Sequence, residues 1–221
     1  MNLAFLFTLS ITFVAPLGLA LFLLVTKSSY RKPFFLGVFT FTVFQLLTRI
    51  PILQVYLSQQ AWFIVFSMKY PLAYLVFLSF TAALFEEGGR YLIFKKGLPS
   101  LSKQGILWFG LGHGGIEAFA LVGLAYLLND VSSVPPFMVM MGGVERISAI
   151  LLHIALSFWV YQSVRSSSKG GLWVALSLHT SFNVLALVML QFNAAIWLVE
   201  LILFGCALLA FLHQWTLKEN V

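Results

Sequence analysis

The stretch Phe85-Glu86-Glu87-Gly88-Gly89-Arg90 places three charged side chains at the end of a long apolar run that begins at Tyr74. A charge at membrane depth costs about 2.5–3.5 kcal/mol on insertion scales, so such groups are rare and usually functional. Two adjacent carboxylates oppose each other's ionisation, and a carboxylate in that position is a candidate general base. The structural alternative is that Glu86 and Glu87 mark the end of a helix and pair with Arg90 one turn on.

The composition around that stretch is typical of a membrane protein. Of the 221 residues, 61% are hydrophobic and only 9% are charged, whereas soluble domains have about 25% charged residues. The net charge of +6 accompanies no interleaving of basic and aromatic residues, so no nucleic-acid partner is expected. The single cysteine, Cys206, excludes an intramolecular disulfide and a cysteine-based zinc site.

Apolar runs of about 20 residues predict seven transmembrane helices. The expected fold is therefore all-α and polytopic, with a single integral-membrane domain over residues 1–221 and a catalytic core at about 62–190. The predicted spans are 3–25, 34–55, 62–85 (extending to 91), 105–128, 136–164, 172–190 and 194–215. Glycine pairs at 88–89, 114–115, 142–143 and 170–171 allow close helix packing. The third to sixth spans are therefore expected to form the inner bundle, with the others more peripheral.

The loops predict the orientation of the chain. Lysine and arginine occur in every second connection, at 27–32, 90–103, 165–169 and 218, whereas the connections at 58–61, 129–135 and 191–193 have none. By the positive-inside rule, the basic loops are cytoplasmic. The N-terminus is therefore expected outside and the C-terminus in the cytoplasm.

Three histidines lie at a similar depth in three different predicted spans. Counted from the basic ends of those spans at 1.5 Å per residue, His113, His153 and His179 are roughly 10–17 Å into the membrane. Glu117 follows His113 and Asn183 follows His179 by four residues, so each pair shares a helix face. A single intramembrane histidine is more often an interhelical hydrogen-bonding residue. Three at one depth, beside an acidic pair, indicate a site.

A second polar layer is expected nearer the other side of the membrane. Its members are Arg49, Lys69, Glu145, Arg146 and Glu200. Mutual ion pairs are the expected explanation, because unpaired charges are expensive there. Glu145 shares a span with His153, and it is the member expected to support the site.

At these residues the sequence resembles the YhfC family of intramembrane metalloproteases, within the CPBP grouping that includes the type II CAAX prenyl endopeptidases and the PrsW proteases. The shared motifs are Glu86-Glu87-Gly88-Gly89-Arg90, the Gly112–Glu117 stretch around His113, and His179-Thr180-Ser181-Phe182-Asn183. Glu145-Arg146 followed by His153 resembles an additional motif of the YhfC branch. Arg90 follows the second glutamate by one residue fewer than in the prenyl endopeptidases, and the prenyl substrate is not carried over.

The resemblance implies an endopeptidase of the bacterial plasma membrane that opens toward the cytoplasm and cleaves membrane-embedded or membrane-adjacent polypeptides. The residues that it implies for catalysis are Glu86, which activates the water, with Glu87, Arg90, Glu117 and Asn183. His113, His153 and His179 would position that water or bind a metal. Zn²⁺ is the expected metal because imidazole suits zinc, and a metal-free mechanism stays open. The oligomeric state is not predicted.

Two other functions are compatible with the sequence. One is a catalytically silent membrane scaffold or chaperone, which would not need both carboxylates of the Glu86–Glu87 pair. The other is a proton-coupled transporter, because histidine and glutamate chains also form proton relays. A transporter predicts paired broken helices and internal symmetry, which the sequence does not display.

Overall fold

The computed structural model describes residues 3–26 and 28–217, and within these ranges the chain is helical and contains no β-strand. Seven of the described helices are long and apolar enough to cross a membrane, which confirms the predicted all-α polytopic fold. A short helix precedes the third span. In chain order the helices are α1 (Leu3–Thr26), α2 (Arg31–Gln59), α3 (Ala61–Lys69), α4 (Pro71–Gly97), α5 (Lys103–Leu128), α6 (Pro136–Arg165), α7 (Gly170–Gln191) and α8 (Ile196–Thr216).

The third span begins later than the sequence predicted. Instead of one helix from residue 62, α3 ends at Lys69 and α4 begins at Pro71. Proline disfavours helical backbone in the residue before it, and Tyr70 adopts φ −131° and ψ 62°. Pro71 lacks an N–H and suits the first position of α4. Because α4 continues to Gly97, Glu86 lies inside the helix and not at its end.

The first two spans each contain a π-helical stretch just before a proline. The π-helical stretches Ser10–Val14 in α1 and Thr42–Arg49 in α2 each end two residues before a proline, Pro16 and Pro51. Proline has no N–H, and its ring clashes with the carbonyl four residues earlier. Hydrogen bonds to the fifth preceding carbonyl relieve that clash, and such wide turns are frequent at functional sites. Gln45, in the second stretch, is buried.

The central helix of the bundle is α6. In its most apolar stretch 67% of the residues are buried, against 17–33% in the other spans. Along it packs α5, which in turn contacts α2 through glycines. A Cβ on Gly37 of α2 would meet the carbonyl of Phe109, and a Cβ on Gly112 of α5 would meet the carbonyl of Phe34. The prediction that α2 is peripheral is wrong, because these glycines let its backbone touch α5.

The loops flanked by lysine and arginine share one side of the bundle. Short connections join consecutive spans, so the spans alternate in direction and the loops 28–30, 98–102 and 166–169 lie together on a side that we call the basic side. Lys27 and Lys218, which also supported the predicted orientation, lie outside the described residues. That the basic side is cytoplasmic stays a prediction.

Gly37→Ala and Gly112→Ala are each expected to destabilise the bundle, because the added methyl group meets a backbone carbonyl of the facing helix. Overpacking of this kind costs about 1–3 kcal/mol. Thermal unfolding in detergent, followed by circular dichroism, measures the effect. The control is Gly205→Ala in α8, where a Cβ meets no heavy atom of the described chain within 4 Å. Equal melting of the three variants would contradict the close α2–α5 contact.

Candidate active site

Three helices bring four ionisable side chains together in the middle of the bundle. Glu86 comes from α4, His113 and Glu117 from α5, and His153 from α6, and one nitrogen or oxygen of each lies within 4.8 Å of the others. We call these four residues the Glu–His cluster. Glu86, His113 and His153 are buried, and the Glu117 side chain is 14% exposed. Buried ionisable groups are stable only when they are paired or bound to a metal.

A glycine on α5 allows the cluster to form. A Cβ on Gly114 would lie 3.0 Å from the Cα of Ile150 and 3.4 Å from Cδ2 of His153. The backbones of α5 and α6 are therefore in near contact, and the ring centroids of His113 and His153 are 4.8 Å apart. Glu117 reaches the same place because it follows His113 by one helical turn.

The carboxylate of Glu86 is held by two helices. Its Oε1 accepts a hydrogen bond of 2.6 Å from Nε2 of Gln45 on α2, and its Oε2 lies 3.0 Å from Nε2 of His113. Arg49 donates to Oε1 of Gln45 at 3.2 Å, which turns the Gln45 amide nitrogen toward Glu86. The two oxygens of Glu86 are therefore distinct: the amide occupies Oε1, and Oε2 faces the cluster.

Glu87 has different partners, because successive residues on a helix point about 100° apart. Its Oε2 pairs with Nη1 of Arg90 at 2.5 Å, and its Oε1 lies 2.8 Å from Nδ1 of His179 on α7. Arg90 also places Nη2 3.1 Å from Nδ1 of His153. All of these side chains are buried. Since both oxygens of Glu87 are engaged, this residue orients its neighbours.

These partners fix where each neutral imidazole carries its proton. A carboxylate can only accept, so the proton of His113 lies on Nε2 toward Glu86, and that of His179 lies on Nδ1 toward Glu87. Arginine can only donate, so Nδ1 of His153 accepts and its proton lies on Nε2. His113 and His179 therefore each keep a free nitrogen lone pair, whereas His153 does not.

Glu117 connects the cluster to Arg146. Its Oε1 lies 2.9 Å from Nη1 of Arg146, and its Oε2 lies 2.5 Å from Nε2 of His153 without the alignment of a hydrogen bond. Arg146 also pairs with Glu145. Glu145 is thus one ion pair away from the cluster, next to the site that it was expected to support.

The rest of the second polar layer does not pair as predicted. Arg49 donates to the hydroxyl of Thr81 and the carbonyl of Leu78. Lys69 lies over the ring of the neighbouring Tyr70, and Glu200 has a buried Oε2 with no hydrogen-bond partner among residues 3–26 and 28–217. The prediction of mutual ion pairs therefore holds only for Glu145 and Arg146.

The structure joins most of the predicted site residues into one polar network. It contains Glu86, Glu87, Arg90, His113, Glu117, His153 and His179. Asn183 lies one turn beyond His179 on α7 and lines a neighbouring cavity. Sequence reasoning missed Gln45. An amide in the middle of an apolar span was the available signal, because such groups form interhelical hydrogen bonds.

The donor set fits a divalent transition metal such as Zn²⁺, for which imidazole and carboxylate are common ligands. Nδ1 of His113 is buried and has no hydrogen-bond partner in the described part of the chain, and an orphaned buried acceptor requires an explanation such as an ion. Oε2 of Glu117 is also buried, and its near neighbour is Nε2 of His153 at 2.5 Å, without the alignment of a hydrogen bond. His113 and Glu117 both belong to the cluster, and each has a buried acceptor without an aligned hydrogen bond. His153 belongs to the cluster but has no free lone pair, since its Nε2 carries a proton and its Nδ1 accepts from Arg90. His179 has a free lone pair on Nε2 but lies outside the cluster.

Two comparisons relate the chain to known proteins. It matches the family model described as "YhfC intramembrane metalloprotease" over residues 11–131 and 123–203, which include the whole Glu–His cluster. It is 31% identical to the uncharacterized membrane protein YhfC of Bacillus subtilis (strain 168), over 81% of each chain. No solved structure matches it significantly.

In the metal-free protein we expect His113 and His153 to carry the ring proton on Nε2 and His179 to carry it on Nδ1. Long-range ¹H–¹⁵N NMR of histidine-labelled protein in detergent separates the two tautomers, and single His→Gln variants assign the signals. The opposite tautomer at His153 would contradict its acceptance of a hydrogen bond from Arg90.

Glu117→Gln is expected to lower the affinity for Zn²⁺ by at least about tenfold, because loss of a ligand is no milder than loss of an outer partner, which costs 10–100-fold. Competition with a chelator, with metal content read by mass spectrometry, measures the affinity. The matched control is Glu200→Gln on α8, which removes a buried carboxylate outside the cluster. Equal affinities in both variants would remove Glu117 from the metal site.

Proposed function

Because this chain belongs to the YhfC intramembrane metalloprotease family, we propose that it is an intramembrane endopeptidase that hydrolyses membrane-embedded or membrane-adjacent polypeptides. The observation that carries the proposal is the Glu–His cluster, which is buried within membrane spans. Ionisable residues at this depth are expensive and mark functional sites. A scaffold would need neither the carboxylate pair nor the free lone pairs on His113 and His179.

Peptide hydrolysis needs a base that activates water and a donor that stabilises the developing oxyanion. We assign the base to Glu86, and specifically to its Oε2, because this oxygen faces the cluster and accepts from one neutral imidazole, that of His113, which leaves a second lone pair for water. Oε2 takes a proton from the attacking water and later gives it to the departing amine nitrogen. The second carboxylate, Glu87, is a positioning residue in this proposal, since it pairs with the charged Arg90, holds His179, and lies outside the Glu–His cluster.

The remaining residues of the site bind the water and the oxyanion and orient the histidines. His179, fixed by Glu87, has an Nε2 lone pair that can accept a hydrogen bond from the water. The Asn183 side-chain amide, one turn beyond, is the proposed donor to the oxyanion. Arg90 keeps His153 in the tautomer that directs its Nε2 proton toward Glu117. The assignments of His179 and Arg90 follow from hydrogen-bond direction within the network, and that of Asn183 follows from its position on the neighbouring cavity.

Zn²⁺ is the proposed cofactor, with His113 and Glu117 as two of its ligands. When bound, a zinc ion supplies Lewis-acid polarisation of the scissile carbonyl and of water. His153 can serve as a third ligand only if its proton leaves Nε2, which conflicts with the donor Arg90 at Nδ1. His179 has the free lone pair but lies outside the cluster.

The protein is an integral membrane protein, and we assign it to a bacterial plasma membrane with the site open toward the cytoplasm. The support is the membrane-protein relative in Bacillus subtilis and the gathering of basic loops on one side. The proposed partners are the lipid bilayer and a polypeptide substrate.

Glu86→Gln is expected to reduce cleavage of a transmembrane reporter peptide in proteoliposomes by about 10²–10⁴-fold, the usual contribution of a general base. His179→Ala is expected to reduce it as well, through loss of water positioning. The matched control is His213→Phe on α8, which retains an aromatic ring against Trp159 away from the network. Ion flux without cleavage would indicate a transporter, and activity indifferent to Glu86 and His179 would indicate a scaffold.

A further inference from the structure

A cavity of about 270 Å³ lies next to the Glu–His cluster, displaced toward the side opposite to the basic loops. Ala82 on α4 precedes Glu86 by one turn, and Asn183 on α7 follows His179 by one turn. The cavity therefore adjoins the groups proposed for catalysis. Its lining residues are Arg49, Leu78, Ser79, Ala82, Glu145, Asn183, Ala186 and Leu187.

A buried hydroxyl on a residue that lines this cavity has no hydrogen-bond partner in the described part of the chain. Ser79 is only 2% exposed, and its Oγ makes no hydrogen bond within the described residues. Serine inside a helix commonly bonds the carbonyl four residues earlier, and Ser79 does not do so. A polar atom left unsatisfied away from water is costly, so the cavity favours a polar occupant.

The remaining polar groups supply both hydrogen-bond donors and acceptors. Arg49 donates, Glu145 accepts, and Asn183 does both. Hydrocarbon needs neither kind of group, whereas a peptide bond within a membrane needs both. The walls at Ala82 and Ala186 are small, which leaves width for a polypeptide backbone with short side chains.

The size and position of the cavity limit what it can hold. Pockets for small ligands measure about 300–1,000 Å³, and a helix with side chains is about 10–12 Å across. The cavity therefore suits a short extended segment and not a helix. Leu187 at its rim is 36% exposed on a membrane span, so the cavity borders the lipid.

We propose that this cavity binds an extended segment of the substrate polypeptide that is rich in small side chains, beside the bond that Glu86 attacks. The proposal rests on the endopeptidase function. Ser79, Arg49 and Asn183 hydrogen-bond the substrate backbone there, and Ala82 and Ala186 exclude bulky side chains. The substrate is thus a membrane-spanning segment that contains residues such as Gly, Ala and Ser.

Photo-crosslinking tests the cavity without turnover. In a Glu86→Gln background, p-benzoylphenylalanine replaces Leu187, and proteoliposomes receive one of two transmembrane peptides. One peptide is leucine-rich with a central Gly-Ala-Ser-Gly segment, and the other has leucine throughout. We expect about tenfold more adduct with the first peptide, because the leucine helix leaves the buried polar groups without partners.

Two variants fill the cavity and one serves as the control. Ala186→Leu and Ala82→Leu are each expected to abolish the preference for the small-residue peptide. Ala73→Leu makes the same change at an exposed position of α4 and is expected to leave it intact. Equal adduct yields from the two peptides, or a preference that survives both cavity variants, would overturn the proposal.

Failure of the peptide-binding cavity can be told apart from failure of the endopeptidase function. Selective cross-linking by a protein that cleaves nothing would retain the peptide-binding cavity and remove the protease function. Cleavage of both peptides at equal rates, without selective cross-linking, would retain the protease and remove the cavity as its specificity site.

Discussion

Charge that is buried in a membrane must find its partners on neighbouring helices, and this constraint organises the bundle. One turn of α4 carries Glu86, Glu87 and Arg90, and their side chains contact Gln45 on α2, His113 on α5, His153 on α6 and His179 on α7. The turn therefore ties together the helices that surround it. Removal of one partner from such a buried pair costs about 3–5 kcal/mol, because the other charge stays behind.

Close helix packing and the polar network depend on each other. The hydrogen bonds of Glu86, at 2.6 and 3.0 Å, require α2 and α5 to approach α4 and each other without intervening side chains. Gly37 and Gly112 allow that approach between α2 and α5, and Gly114 allows it between α5 and α6. The glycines thus serve the site through distance and not through flexibility.

Sequence alone predicted the features that depend on periodic structure. Seven apolar runs gave seven spans, and residue counting placed three histidines at one depth, because the rise of a helix is constant. It did not predict how each helix is rotated. Rotation decides that His153 faces Glu117 while His179 faces Glu87, and it depends on packing between helices distant in sequence. Gln45 was missed because its span contains none of the motifs that marked the site. The start of α4 was missed because Pro71 interrupts an otherwise continuous apolar run.

The π-helical stretch Thr42–Arg49 carries Gln45 and Arg49, which together orient Glu86. A π-turn accommodates one residue more than the α-helix that it replaces. Deleting a single residue there would restore the α-helix without turning the residues that follow the stretch, but it would change how the residues inside the stretch, among them Gln45 and Arg49, are rotated relative to Glu86. The length of this segment is therefore fixed by the chemistry it supports. The loops between spans have no such restriction, and insertions during evolution would be expected to accumulate in them and to be absent from this part of α2.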